Sequence, residues 1–261
     1  MSGRSLVVTS DDFGYDSSVN AAVLRAFREG ILRFASLMVL RPGAAEAARI
    51  ARDNPGLGVG LHLELCSQEP QKAGLKYFFN SAARSGVEGE IRSQIEALLA
   101  LGVAPTHIDG HFNVHVHPVI FPVVCRLARE YSIPRVRLPS GELPACLGYP
   151  GTNDLLSPLM LSGVFAVMGA WVRHSAGGLT VPRTWGLLRS GTMTEDYVLW
   201  LLRNLPEGLT EIYFHPHGDP SSAAVGRPTS THQTYTELEA LISPRVRRAI
   251  EEAGIHLVTA A

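Results

Sequence analysis

Leu6-Val7-Val8-Thr9-Ser10-Asp11-Asp12-Phe13-Gly14 is the stretch on which the fold turns. Leu6 to Thr9 is a short apolar run of β-prone residues, and two adjacent carboxylates follow it. Phe13-Gly14 then reads as a tight turn. Asp16 or Ser17 supplies an N-cap oxygen for a helix running to about Glu29, with Gly30 suited to its C′ position. The unit is therefore strand, polar strand end, helix.

The same unit recurs outward from it. Ser36 to Leu40 reads as a second strand, and Pro42-Gly43 opens an Ala-rich helix. Leu57 to Leu63 is a third strand. Glu88 to Leu101 places Ile91, Ile95, Leu98 and Leu99 at helical spacing, and Gly102 ends it. Thr106 to Asp109, Arg135 to Leu138 (stopped by Pro139), Leu209 to Phe214 and Ile255 to Thr259 read as further strands, with a helix from Pro118 to Tyr131. Such alternation predicts a mostly parallel sheet with covering helices. No linker divides the chain, so 1–261 is expected to be one domain, with 141–183, rich in Pro and Gly, as a loop and helix insertion over the site.

Composition bounds the function. The chain has 261 residues, 46% hydrophobic and 18% charged, which is globular rather than disordered. Its formal net charge is −1 and no block of Lys and Arg stands out, so no nucleic-acid partner is expected. Cys66, Cys125 and Cys146 are odd in number and lack CxxC spacing, which predicts free thiols in a reducing cytosol. Met1 to Ser10 is too short and polar to be read as a signal peptide.

The reactive residues fall at predicted strand ends, where parallel α/β folds build their sites. Asp11-Asp12 follow the first strand, His62 ends the third, and His215 follows the strand ending in Phe214. Arg137 lies in the short Arg135–Leu138 strand. The densest segment is His107-Ile108-Asp109-Gly110-His111-Phe112-Asn113-Val114-His115-Val116-His117-Pro118, which holds four of the ten His of the chain. Together these residues supply a His/His/Asp metal set, a spare carboxylate and a spare His, the components of metal-assisted hydrolysis. Two alternatives remain open on the residues alone: a phosphoesterase, and a non-haem iron oxygenase using the HxD pattern of His107 and Asp109. A glycan- or lipid-binding protein without activity is disfavoured by the acid and base candidates.

The motifs around Asp11-Asp12, Gly60-Leu61-His62-Leu63, Thr106 to Pro118 and Phe214-His215-Pro216 resemble, in order, those of the YdjC-like carbohydrate deacetylases of the ChbG type. Ala35-Ser36-Leu37-Met38-Val39, Val136-Arg137-Leu138-Pro139, Ser190 to Asp196 and Leu241 to Arg247 are similar to the hopanoid-associated branch of that family, the HpnK type. The resemblance implies a distorted or incomplete TIM-type (β/α) barrel. It implies one divalent ion, Zn²⁺ favoured and Mg²⁺ or another ion as alternatives, held by Asp12, His62 and His111. It implies Asp11 as general base, His215 as general acid, and Arg137 as a residue that orients the base. His115, Phe13 and Asn113 are expected at the substrate; Asn113 stands where many relatives have His, which speaks against a second metal. The implied reaction is removal of an N-acetyl group from an amino sugar, in this branch an N-acetylglucosaminyl hopanoid, with soluble chitooligosaccharides as the alternative substrate.

Leu155 to Val172 carries no charge before Arg173. The first expectation for it is a buried or half-buried helix, and the second is a surface that meets lipid. A spanning helix is disfavoured, because it would divide the two halves of the site across a membrane. The expected location is the cytoplasm, peripheral to the inner membrane. The oligomeric state is open, a homodimer included.

Overall fold

The computed structural model describes residues 3–66, 70–152, 154–222 and 233–260. In chain order the elements are β1 (Arg4–Phe13), α1 (Ser17–Glu29), β2 (Phe34–Leu37), α2 (Ala44–Asp53), β3 (Gly58–Leu63), α3 (Pro70–Phe79), α4 (Ser81–Ala100), β4 (His107–Gly110), α5 (Phe121–Glu130) and β5 (Arg135–Val136). There follow α6 (Leu143–Gly148), α7 (Leu156–Val172), β6 (Arg183–Trp185), α8 (Glu195–Arg203), β7 (Gly208–Phe214), α9 (Tyr235–Ile242), α10 (Pro244–Glu252) and β8 (His256–Leu257).

The strands form one sheet in the order β5-β4-β3-β2-β1-β7-β6, and β8 adds to β1. Every pairing between named strands is parallel, as the alternation predicts. The sheet is curled. Isolated parallel bridges join Arg135 to Thr180 and Pro139 to Thr184, bringing the β5 end of the sheet against the β6 end. A flat sheet would hold β5 and β1 about 19 Å apart, four strand spacings of ~4.8 Å. Arg137, just beyond β5, instead meets Asp11 of β1 at 2.6 Å. The fold is thus a curled, barrel-like α/β sheet with its strand C-termini at one mouth.

Several elements differ in extent from the sequence reading. β1 runs through Asp11-Asp12 to Phe13 rather than stopping at Thr9. Its register against β2 shifts between Ser10 and Phe13, and Asp12 sits there at φ 61°. Gly30 is extended, not left-handed; a Cβ there would lie 2.3 Å from the Leu241 carbonyl, so close approach is what calls for glycine. Likewise a Cβ on Gly60 would lie 2.5 Å from the His107 ring, so only glycine lets β3 and β4 pair at that point. Helix α3 has no counterpart in the sequence reading. The segment Leu155 to Val172 is a helix, but not a buried one. Among its residues only Pro158, Phe165, Gly169 and Val172 are buried, while Leu156, Met160, Val167 and Trp171 are more than 60% exposed.

Candidate active site

The β1 bulge splits the two adjacent carboxylates into different environments. Asp11 faces Arg137, whose guanidinium grips both its oxygens at 2.6 and 2.8 Å. Asp12, in the left-handed conformation that a bulge imposes, turns to two imidazoles instead. Its Oδ1 lies 3.3 Å from His62 Nε2 and 3.2 Å from His111 Nδ1. Its Oδ2 accepts from Gln233 Nε2 at 2.8 Å. His62 comes from β3. His111 comes from the 3₁₀ turn His111–Val116 after β4, in which Phe112 and Asn113 both adopt φ 54°.

Asp12 Oδ1 and His62 Nε2 are buried and have no hydrogen-bond partner among the described residues. With His111 they form a donor set whose ligand atoms lie within 4.8 Å of one another. Two imidazole nitrogens and one carboxylate oxygen converge, two of the three unsatisfied, and fit a divalent cation. Asp11, His62 and Asp109 also converge within that distance. Their atoms, however, are already engaged. Asp109 accepts from Ser36 Oγ at 2.6 Å, pairs with Arg137 at 2.8 Å, and meets His62 Nδ1 at 2.7 Å. That last contact fixes the His62 ring so that Nε2 is the nitrogen left for the cluster, a carboxylate–histidine arrangement common behind metal ligands.

Arg137 is almost fully buried and bridges three carboxylates, those of Asp11, Asp109 and Glu211. It also lies 4.3 Å over the Tyr213 ring. Glu211 is held in turn by Thr9 Oγ1 at 2.8 Å and Thr184 Oγ1 at 3.2 Å. Electrostatics separate the carboxyls. Burial pushes Asp11 up to about 6, against the pull of Arg137. Burial raises Asp12 and Asp109 as well, but the imidazoles beside Asp12, and Arg137 with His62 beside Asp109, outweigh it and hold both well below the carboxylate range. Glu211 is lowered on balance, Arg137 and Arg135 overcoming its burial.

His215, after β7, closes the group. Its Nε2 lies 3.8 Å from Asp11 Oδ2. On the other side Nδ1 is 3.3 Å from Ser190 Oγ and 3.9 Å from Glu237. Glu237 accepts the His215 backbone N–H, and burial pushes its carboxyl up to about 8. Asp11, Asp12, His62, His111, Arg137 and His215 are thus brought together at one strand-end mouth.

The remaining sequence candidates stand differently. Asn113 donates to the Tyr213 hydroxyl at 3.3 Å. His115 is buried beneath Gly110, with Nε2 3.0 Å from the Arg137 carbonyl, and burial pushes it down to about 4. Phe13 is fully buried in the hydrophobic core, so its ring offers no surface to a substrate. His107 does not join the cluster: its ring contacts Thr106, Ser36 and Arg135, and burial, then Arg135, pushes it down to about 3. The HxD pattern therefore does not form a facial triad. Glu211, Glu237, Ser190 and Gln233 have no site role in the sequence reading, although Ser190 and Glu211 lie in stretches similar to the hopanoid-associated branch. A Glu within the apolar run Leu209 to Phe214 was the one available signal; Gln233 had none.

A parallel α/β sheet that gathers buried carboxylates, imidazoles and an arginine at its strand ends has the layout of an enzyme active site. The chain belongs to the family described as YdjC-like protein, whose model matches residues 5–252. A Brevibacillus brevis protein named carbohydrate deacetylase is 32% identical over 268 residues, which cover 97% of this chain and 97% of that one. A Geobacillus stearothermophilus carbohydrate deacetylase is 40% identical over 144 residues, covering 50% of this chain and 58% of the relative. An Enterococcus faecalis crystal structure, described in terms of cellobiose-phosphate cleavage, superposes with TM-score 0.67 at 23% identity, covering 98% of this chain and 97% of that one. That likeness is one of fold.

Proposed function

We propose that the chain is a divalent-metal-dependent carbohydrate N-deacetylase. The observation that carries this reading is the converging Asp12–His62–His111 donor set, with Asp12 Oδ1 and His62 Nε2 unsatisfied, lying beside an Asp11–Arg137 pair and a further imidazole, His215. Two imidazoles and a carboxylate favour Zn²⁺, with Mg²⁺ or another divalent ion as the alternatives. Such an ion, when bound, polarises the acetyl carbonyl and acidifies water.

The chain's own residues do the rest. Asp11 takes the proton of the attacking water; its pKa of about 6 leaves it ionised at neutral pH yet basic enough to accept a proton. Arg137 fixes both Asp11 oxygens and so sets the direction of attack. His215 delivers a proton to the departing amine, with Ser190 and Glu237 holding the far side of its ring. Asn113, on the Tyr213 hydroxyl, and His115, buried against the Arg137 carbonyl, support the site rather than carry protons.

The substrate in this reading is the N-acetylglucosaminyl group of a hopanoid, with soluble chitooligosaccharides as the second choice. Motifs such as Val136-Arg137-Leu138-Pro139 and Ser190 to Asp196 support the lipid. A cavity of about 280 Å³ lies beside α7, lined by Pro139, Gly141, Phe165, Gly169, Thr184 and Leu187, and in this reading it takes the part of the substrate beyond the sugar. Acetate release is measured from an N-acetylglucosaminyl hopanoid and from N,N′-diacetylchitobiose, with and without added divalent metal. Metal-dependent release is expected from both, and faster from the hopanoid. Release from chitobiose alone keeps the chemistry and discards the lipid, and release from neither discards both.

A further inference from the structure

Among the described residues, fourteen large hydrophobic side chains stand exposed, and eleven of them lie on α3 or on α7 with its N-cap Leu155. On α3 these are Leu75, Phe78 and Phe79, the last 82% exposed. These two helices are distant in sequence, yet both pack against the turn His111–Val116 that carries His111. Phe78 reaches a neighbour of that turn, its ring 4.2 Å from His117. The exposed apolar surface is therefore gathered at the rim of the active-site mouth rather than scattered.

Its shape separates the two kinds of partner. At about 100° per residue the exposed large side chains of α7, from Leu156 to Trp171, fan across about 200° of the helix surface. A helix packed on another protein buries an apolar stripe of about 100°. A face twice that wide suits a fluid apolar phase that can close around it. α7 does not cross that phase, although it is apolar and long enough to be tested for crossing. Pro158, Phe165, Gly169 and Val172 hold it along the body, with Gly169 against Leu138. Charge agrees. α3 bears Lys72 and Lys76 and no acid, α7 bears no charge, and Arg173-His174 follow it. Asp154, at the N-terminal end of α7, caps Leu156 and Ser157, and Glu69 precedes α3 in the sequence. Trp171 suits the boundary between headgroup and acyl chain.

We propose that α3 and α7 form a docking surface for an anionic lipid bilayer, which sets the active-site mouth against the membrane face. Apolar side chains enter the outer acyl region, and Lys76, Arg173 and their neighbours meet the headgroup phosphates. The surface stands whatever N-acetylated sugar is the substrate, because it rests on α3 and α7 and not on the acid–base residues.

The test is co-sedimentation of the full chain with phosphatidylcholine vesicles, with and without phosphatidylglycerol. Binding is expected to both, and about tenfold or more tighter with the anionic lipid. A Val164→Glu/Val167→Glu variant and, separately, Phe79→Ser replace exposed side chains only, so circular dichroism and melting stay unchanged. The double variant is expected to lose about tenfold or more in vesicle affinity. Deacetylation of a soluble acetylated disaccharide, measured in parallel, stays at the wild-type rate. Absence of vesicle binding by the wild type overturns the proposal. So does self-association in sedimentation velocity that the double variant abolishes while vesicle binding is unaffected, since the surface is then an interface between copies of this chain. Loss of deacetylation by every form, with vesicle binding intact, leaves the docking surface standing and removes the deacetylase reading alone.

Discussion

Arg137→Met tests the electrostatic centre of the fold. The guanidinium is the cation shared by three buried carboxylates, and methionine keeps much of its volume over Tyr213 while removing its charge. Removing one partner of a buried ion pair costs about 3–5 kcal/mol, and with three carboxylates left facing each other the upper end, about 5 kcal/mol, applies. Unfolding entropy of about 2.1 cal/mol/K per residue gives ~0.55 kcal/mol/K for 261 residues, so the melting temperature falls by about 9 °C. The loss depends on pH. In the wild type Asp109 and Glu211 titrate below their ordinary values, so the stability they contribute is present at neutral pH and lost on acidification. In the variant Asp109 keeps His62 and Glu211 keeps Arg135 against their burial, but both lose Arg137, so both titrate higher than in the wild type; their neutral forms are tolerated in acid, and stability falls as pH rises. The gap between the two melting temperatures therefore widens from pH 5 to pH 8. Adding Glu211→Gln to the variant recovers part of the loss. Thermal unfolding followed by circular dichroism decides it: a gap under about 3 °C, or one that narrows as pH rises, refutes the shared-cation account.

Three further outcomes are expected. Asp11→Asn lowers kcat by about 10³-fold while metal content, read by elemental analysis, is unchanged; a rate near wild type makes Asp11 structural only. Asp109→Asn frees the His62 ring and weakens Zn²⁺ binding about 10–100-fold in calorimetric titration, whereas equal affinity removes Asp109 from the support of the site. Glu142, which burial pushes up to about 7 and which accepts from Leu188 N–H and the Tyr197 hydroxyl, tends to stay protonated in the fold. Its contribution to stability is full below the unfolded value of 4.5 and lost as pH rises through about 7. Glu142→Gln therefore gains on wild type by up to about 3 kcal/mol between pH 4 and pH 8 in urea denaturation, and parallel curves for the two proteins sink that reading.

What could be read from sequence was what depends on local pattern. β-prone runs ending in Asp, His or Arg put the site at strand ends, and they placed Asp12, His62, His111 and His215 in one region before any coordinates. What could not be read depends on curvature and on chain-distant contacts. Nothing local in Thr210-Glu211-Ile212 shows that Glu211 meets an arginine from beyond β5, because that contact exists only once the sheet rolls. The bulge that parts Asp11 from Asp12 is set by pairing with β2 and not by their own propensity. Phe13 reads from sequence as a turn residue with Gly14, and the resemblance sets it at the substrate, yet it continues β1 into the core. For α7 the apolar composition was plain, but burial is a property of what lies opposite, and among the described residues little does.

The pairing of β1 with β7 has a consequence for synthesis. Arg4 through Ser10 bond to Gly208 through Phe214, so one edge of the first strand waits for residues made about 200 positions later. At about 5–20 residues per second that interval is roughly 10 to 40 s. Throughout it, the strand bearing Asp11 and Asp12 can gain β2 as a neighbour but not β7, and its other edge is open to any strand in the cell. The order in which the ribosome releases the chain thus has the strand bearing Asp11 and Asp12 made well before β7, the neighbour that encloses it.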